Sequence, residues 1–319
     1  MGILVNFATR RMFSTSNKGS AFSYPPGPLS RDELTLYYKK YVEFHKRNRG
    51  NLHVTDKPGG NGMRIVSYNV HCEDPYCESR GEGRREMWRV LQELDADVLC
   101  LQEVENPEAL TGHPYVWHHR LFSGMFGNSI SSKHPMRDVT RHTYGSSRYS
   151  GETRGLMGAT IKHPHLGEFR IYNTHLDVWD QSETTRLSQV KQIDALIKRD
   201  LEQYRFDGPV ILFGDFNALH PSSYVDPLHW EWILKQDEAR KVQTKTSAMS
   251  FLINSGWADL AQPSPPPVTT WSMRRIDYVL MRTEMAHLLE GYRIRLWHHL
   301  DTASDHLPIG MDLTLREQL

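Results

Sequence analysis

Cysteine is nearly absent: the 319 residues contain Cys72, Cys77 and Cys100 and no other. So few thiols, odd in number, build no disulfide framework, and no Cys-x-x-Cys spacing offers a zinc site. Cys100 lies in an apolar run as a core residue, and Cys72 and Cys77 read as free thiols. Net charge is lacking too, with 38 Lys and Arg against 38 Asp and Glu. That excludes a strongly cationic chain that coats nucleic acid non-specifically, although it leaves room for a local phosphate-reading patch. No run reaches the ~18–20 apolar residues of a membrane-crossing helix. Internal repeats and low-complexity tracts are missing as well.

Acids are absent from residues 1–31, where Arg10, Arg11 and Lys18 are the only charges before Arg31 and serines recur. This composition fits a mitochondrial transit peptide or a plain disordered leader, so a mitochondrial and a cytoplasmic address stand as alternatives. Residues 32–62 read as an N-terminal helix and linker. Ser30 with Asp32 and Glu33 opens the helix, which runs to about Arg49. A flexible joint at Pro58–Gly62 follows. The compact domain then spans 63–319, long enough for one large core and organised as alternating strands and helices.

What is present within that domain is a recurrent grammar: an apolar strand that stops at a polar or charged residue. Ile211-Leu212-Phe213-Gly214-Asp215-Phe216-Asn217 is the clearest case. Arg64 to Val70 carries Asn69, and Asp97 to Val104 carries Glu103. Tyr172 to Asp177 carries Asn173, His175 and Asp177. Arg275 to Met281 carries Asp277, and Ser304 to Ile309 carries Asp305 and His306. A carboxylate ending a buried run is costly unless a cation or partner offsets it. Carboxylates and asparagine amides without thiolate suit a hard divalent ion, Mg²⁺ or Mn²⁺. Histidines beside such an ion contact a phosphate oxygen or carry a proton.

Helices are expected over Arg85–Leu94, over Glu183–Tyr204 behind a Ser182 cap, over Pro227–Lys235 and over Ala248–Gly256. Residues 133–154, polar and net basic with His142, Tyr144 and Tyr149 interleaved, read as a loop. It either contacts phosphate and base or is simply solvated. Trp230 and Trp232 are the one candidate for membrane docking.

The ordered set Ser-Tyr-Asn-Val, Leu-Gln-Glu-Val, Asn-Thr-His-Leu-Asp, Gly-Asp-Phe-Asn, Arg-Ile-Asp-Tyr and Ser-Asp-His-Leu-Pro-Ile resembles the endonuclease/exonuclease/phosphatase superfamily over residues 63–315. The resemblance implies a deoxyribonuclease I-like four-layer α/β sandwich, two facing mixed β-sheets flanked by helices. It also implies Mg²⁺-dependent phosphoester hydrolysis. Glu103 would be the principal metal ligand, with Asn69 and Asp305 beside it. Asp215 would align the attacking water and Asn217 would hold the phosphate. His306 would contact phosphate with its tautomer fixed by Asp277, and His175 would lie near the leaving group. A phosphodiesterase or nuclease acting on nucleic acid is favoured. A sphingomyelinase-like lipid phosphodiesterase, a phosphatase and an inactive binding module are the alternatives. Ala218-Leu219 after Gly-Asp-x-Asn departs from the inositol 5-phosphatases, and His71 departs from DNA-repair members that carry an acid there.

Overall fold

The computed structural model describes residues 23–25, 27–48, 61–71, 80–121, 124–147, 150–262, 268–289, 291–297 and 303–314. Most of the leader, the two thiols Cys72 and Cys77, and most of the joint before Met63 lie outside them. Cys100 is buried and free.

Helices are α1 (Arg31–Asn48), α2 (Arg80–Leu94), α3 (Pro107–Thr111), α4 (Thr184–Tyr204), α5 (Pro227–Ala239) and α6 (Ser247–Asn254). The first six strands are β1 (Met63–Asn69), β2 (Val98–Val104), β3 (Tyr115–Leu121), β4 (Phe126–Ser132), β5 (Met136–Thr143) and β6 (Gly155–His163). The others are β7 (Gly167–His175), β8 (Val210–Asp215), β9 (Trp257–Asp259), β10 (Asp277–Arg282), β11 (Tyr292–Leu296) and β12 (Ile309–Leu313). They form two six-stranded mixed sheets, ordered β11-β12-β1-β2-β4-β3 and β5-β6-β7-β8-β10-β9.

The layering follows from the two-residue period of a strand. Met63 and Ile65 of β1, Val98 and Cys100 of β2, and Ile211 and Phe213 of β8 meet in one cluster between the sheets. The alternate residues face outward. Val66, Tyr68, Leu99 and Leu101 pack under Met87, Val90, Leu91 and Leu94 of α2. Val210, Leu212 and Tyr172 pack under Val190, Ile193 and Ile197 of α4 and Met249 and Leu252 of α6. Central strands are apolar on both faces because both faces are covered, which gives the four-layer sandwich expected from the motifs.

Several local expectations are corrected. Residues 133–154 are not all loop: β5 pairs with β6 as an edge strand, with a register shift between Arg137 and Thr140. That irregularity breaks the period-two pattern, and an edge strand half open to water carries a polar sequence. Ser182 is not the main cap of α4. The Asp180 carboxylate accepts from Thr185 N at 2.5 Å, and Ser182 Oγ accepts from Thr184 N at 3.4 Å. Trp232 is buried and Trp230 partly so, both packed in the central cluster that also holds Leu34, Tyr38, Tyr41 and Val42 of α1. The tryptophan pair is therefore fold, not membrane anchor. Among the described residues no helix is long and apolar enough to cross a membrane.

Topology places the polar ends together. Each sheet has a central parallel pair, β1 with β2 and β7 with β8, so Asn69, Glu103, His175 and Asp215 finish side by side. β10 runs antiparallel to β8 and begins with Asp277 opposite Asp215. Two buried amides brace the sheets behind this end. Gln102 Nε2 donates to Asn173 Oδ1 at 2.6 Å, and Asn173 Nδ2 donates to the carbonyls of Leu101 and Ser129 at 2.8 Å.

Candidate active site

Asn69, Glu103, His175, Asp215, Asn217, Asp305 and His306 line one cleft of about 480 Å³ between the sheet ends. Asp277 sits behind them against His306. Asp177 and Asn173 do not line it. Asp177 turns into the loop after β7, where its Oδ1 accepts from Asp180 N at 2.7 Å, and Asn173 serves the brace described above.

Asp215 is the centre of the arrangement. Gly214 before it cannot be replaced, because a Cβ there would collide with the Thr174 carbonyl of the neighbouring β7. Asp215 Oδ1 accepts the Asn217 backbone N–H at 2.9 Å, and Oδ2 accepts Asn69 Nδ2 at 3.1 Å. The same Oδ2 lies 3.5 Å from His175 Nε2 and 3.6 Å from His306 Nε2. Burial pushes the Asp215 carboxyl up to about 7; Asp277 adds to the shift and His306 opposes it.

The two histidines are held in opposite charge states. For His306, burial opposes protonation, but the carboxylates of Asp277, Asp215 and Asp305 outweigh it and hold the imidazole well above its ordinary range. Asp277 contacts His306 Nδ1 with both oxygens, at 3.0 and 3.2 Å. For His175, burial and then the charges of Arg154 and His306 push the value well down, so the ring is neutral. Arg154 Nη1 lies 3.1 Å from His175 Nδ1. A guanidinium can only donate, and so can the Asn217 amide nitrogen, 3.1 Å from Nε2, so a neutral ring accepts from one of the two and carries its proton on the other nitrogen.

Backbone strain is concentrated here. Glu103, Asn217 and His71 all line the cleft and all have left-handed backbones, with φ of 53°, 46° and 44°. Such conformations cost roughly 1–3 kcal/mol each and persist only where the surroundings impose them. At Glu103 the strain accompanies a bulge, since the pairing of β2 with β4 shifts register between Leu101 and Val104. The bulge turns the carboxylate out of the strand and into the cleft. Its Oε1 comes to 3.4 Å from Asn69 Nδ2 and 3.8 Å from His175 Nε2.

The motif reading missed much of the cleft wall: Arg154, Glu152, Trp179, Trp271 and Thr270. Arg154 lies just ahead of β6, and nothing local distinguishes it from the other basic residues of 133–154. Trp271 donates its indole N–H to Asp305 Oδ2 at 3.2 Å, and an isolated bridge from Thr270 to His306 ties this segment to the histidine. Five carboxylates (Glu103, Glu152, Asp215, Asp277 and Asp305) thus converge with one guanidinium and one protonated imidazole. Three donors, from Asp215, Asp277 and His306, fall within 4.8 Å of one another. That trio already bonds internally through His306 Nδ1, and a protonated His306 offers no lone pair to a cation.

A sequence model described as Endonuclease/Exonuclease/phosphatase family matches residues 66–306. The chain belongs to this family. Endonuclease/exonuclease/phosphatase proteins are phosphoester hydrolases, and the matched span runs from β1 to His306. Protein angel of Drosophila melanogaster is 22% identical over 336 residues, covering 87% of this chain and 89% of that protein. The human Nocturnin catalytic domain, solved with a bound sulfate anion, is 17% identical with a TM-score of 0.55, covering 81% of this chain and 94% of that one. ANGEL2, described as a 2′,3′-cyclic phosphatase and solved with adenosine-2′,3′-vanadate, is 18% identical with a TM-score of 0.53, covering 80% and 96%. At these identities the structures share the fold of this endonuclease/exonuclease/phosphatase chain.

Proposed function

We propose that the protein is a phosphodiesterase dependent on Mg²⁺ or Mn²⁺, acting on a nucleic-acid-type phosphodiester. The observation that carries this reading is the excess of carboxylate in a cleft of a phosphoester hydrolase. A phosphate anion is repelled by a cleft lined by four acidic side chains, Glu103, Glu152, Asp215 and Asp305, with Asp277 behind them, against Arg154 and His306, and an accompanying cation would offset that repulsion. The donor set is carboxylate and amide oxygen, with no thiolate, which fits a hard divalent ion. Glu103 and Asn69 would hold it, with Asp305 as a further carboxylate.

A bound divalent ion supplies Lewis-acid stabilisation of the charge that builds on the phosphoryl oxygens, worth several kcal/mol. Asp215, with its carboxyl near 7, accepts a proton from water at neutral pH and aligns it for in-line attack. His306, kept protonated by Asp277, donates from Nε2 to a phosphoryl oxygen. Asn217 Nδ2 faces the same space, 3.1 Å from His175 Nε2. His175, neutral and with Nε2 3.5 Å from Asp215 Oδ2, stands near the leaving oxygen. The adenosine-2′,3′-vanadate bound by ANGEL2 supports a nucleoside phosphodiester as the substrate type.

The test is release of p-nitrophenolate from bis-p-nitrophenyl phosphate. Mg²⁺ is expected to support turnover and EDTA to abolish it. Asp215→Asn and His306→Ala are each expected to lower kcat by at least about 10²-fold, the lower range of general acid–base effects, with far-UV circular dichroism unchanged. Turnover that survives EDTA, or near-wild-type activity in either variant, refutes the mechanism.

A further inference from the structure

Beside the residues assigned above, the cleft has a wall built from Trp179, Glu152 and Arg154. Trp179 lines the cleft yet is 54% exposed. It is not on a slack loop. Arg186, fully buried, donates to the Asp177 carbonyl at 2.8 Å and to the Asp180 carbonyl at 2.5 Å, bracketing Trp179 on both sides. Lys245 Nζ donates to the Val178 carbonyl at 3.0 Å, and Asp177 Oδ1 accepts from Asp180 N at 2.7 Å. The indole N–H itself donates to Glu152 Oε1 at 2.9 Å. A large apolar ring is thus fixed in place with a face left to solvent, an arrangement that core packing does not require.

Glu152 links that ring to Arg154. Its Oε2 accepts Arg154 Nη2 at 2.7 Å, while Nη1 is 3.1 Å from His175 Nδ1. The third donor of the guanidinium, Nε–H, is buried and has no hydrogen-bond partner, on a side chain only 4% exposed that lines the cleft. A buried donor on a cation without an acceptor is costly, and of the three described arginines whose Nε–H is so left, Arg154, Arg186 and Arg275, it is Arg154 that lines the cleft, where an anionic oxygen can meet it.

We propose that Trp179 and Arg154 form a nucleotide subsite: the indole stacks a nucleobase while Arg154 Nε–H donates to a phosphate oxygen of the same ligand. This rests on the phosphodiesterase reading above and names the part of the substrate that reading leaves open. A ligand that carries both a flat aromatic ring and an anion satisfies both groups. An alkyl or lipid phosphodiester satisfies Arg154 alone. Stacking is indifferent to base identity, since each base has a π-face, so the subsite selects nucleotides without selecting sequence.

The test compares two nucleotides with a sugar phosphate that lacks the base. Dissociation constants are measured by calorimetry with Mg²⁺ for uridine 5′-monophosphate, uridine 3′-monophosphate and ribose 5-phosphate. At least one nucleotide is expected to bind about 10- to 100-fold tighter than ribose 5-phosphate, the range of one base–aromatic stack. Trp179→Ala is expected to erase that preference and Trp179→Phe to keep most of it. Arg154→Lys, checked for an unchanged melting temperature, is expected to weaken nucleotides and ribose 5-phosphate alike by about 10-fold. Equal wild-type affinities, or a preference that survives in Trp179→Ala, overturn the stacking role. Unchanged affinities in Arg154→Lys overturn the anion role. Either of these results leaves the proposed function standing, which fails instead if the wild-type protein does not hydrolyse bis-p-nitrophenyl phosphate.

Discussion

Asp215 is ionisable, buried, and placed where its charge is disfavoured, so its presence costs stability that an amide would not. Its carboxyl is raised from 3.8 to about 7. An acid whose folded value is raised binds its proton more tightly in the folded state, so this contribution is fully present below about pH 4. It is lost as pH rises through about 7. His306, whose folded value is also raised, shifts stability in the same direction: present below 6.5 and lost as pH climbs through its folded value. Asp215→Asn is therefore expected to melt at a higher temperature than wild type at pH 8 in EDTA. That difference should shrink toward pH 5, where Asp215 is protonated in the folded state and ionised in the unfolded one, and vanish only below about pH 4, where both states hold the proton. Differential scanning fluorimetry across pH 5–8 measures it; a gap that stays constant or widens toward pH 5 contradicts the raised carboxyl. A carboxyl that costs stability where it stands is the exchange that its proposed catalytic role would require.

At the scale of elements, capping between neighbours fixes the outer helical layer. Glu183 sits in a left-handed backbone at φ 62°, just ahead of α4, and provides no side-chain cap for its own helix. Its buried carboxylate instead accepts the backbone N–H groups of Thr246, Ser247 and Ala248 at 2.8, 2.7 and 3.5 Å, at the start of α6. A carboxylate there meets both the unpaired donors and the positive end of the helix dipole. Glu183→Ala is expected to cost about 2–3 kcal/mol, the sum of a charge-assisted cap and the donors it leaves buried. Because α6 packs outside the second sheet and away from the cleft, kcat at 25 °C should stay within about twofold. Chemical denaturation and initial-rate kinetics test the two halves separately. No sequence rule for caps finds this one, since the capping residue and its helix lie more than sixty positions apart.

For the whole molecule, the alignment of the two sheets decides whether the site exists. One wall, with Asn69 and Glu103, belongs to the first sheet. The other, with His175, Asp215 and Asn217, belongs to the second. The Gln102–Asn173 amide pair crosses between them, with Gln102 Nε2 also donating to Ser67 Oγ at 3.1 Å. Asn173→Ala strips partners from Gln102 and from the buried carbonyls of Leu101 and Ser129. It is expected to cost about 2–4 kcal/mol, at roughly 1–3 kcal/mol per unsatisfied buried group with partial relaxation. Because the walls are then free to shift, kcat should fall by about 10-fold or more although Asn173 lies outside the cleft; a 1 Å misplacement has effects of that order. A variant that loses stability with kcat unchanged would show that the brace serves folding alone.

Sequence by itself determined the motif-bearing strands β1, β2, β7, β8 and β10 and the eight residues that the structure gathers, each of them at one end of an apolar run; β3, β5 and β9 carried no such signal. That grammar is local, because a strand's period and its end are properties of consecutive residues. It also drew in Asn173 and Asp177, since a strand-end polar residue looks the same whether it enters a cleft, braces a sheet or closes a turn. Only the tertiary structure decided among those. It also decided that β5 is an edge strand, that Trp230 and Trp232 lie under α1, and that Arg154 and Trp179 join the cleft wall. The physical reason is that these roles depend on which groups from distant positions meet in a low-dielectric space. The charge state of His175 depends on His306, 131 positions away, and no short window along the chain contains both.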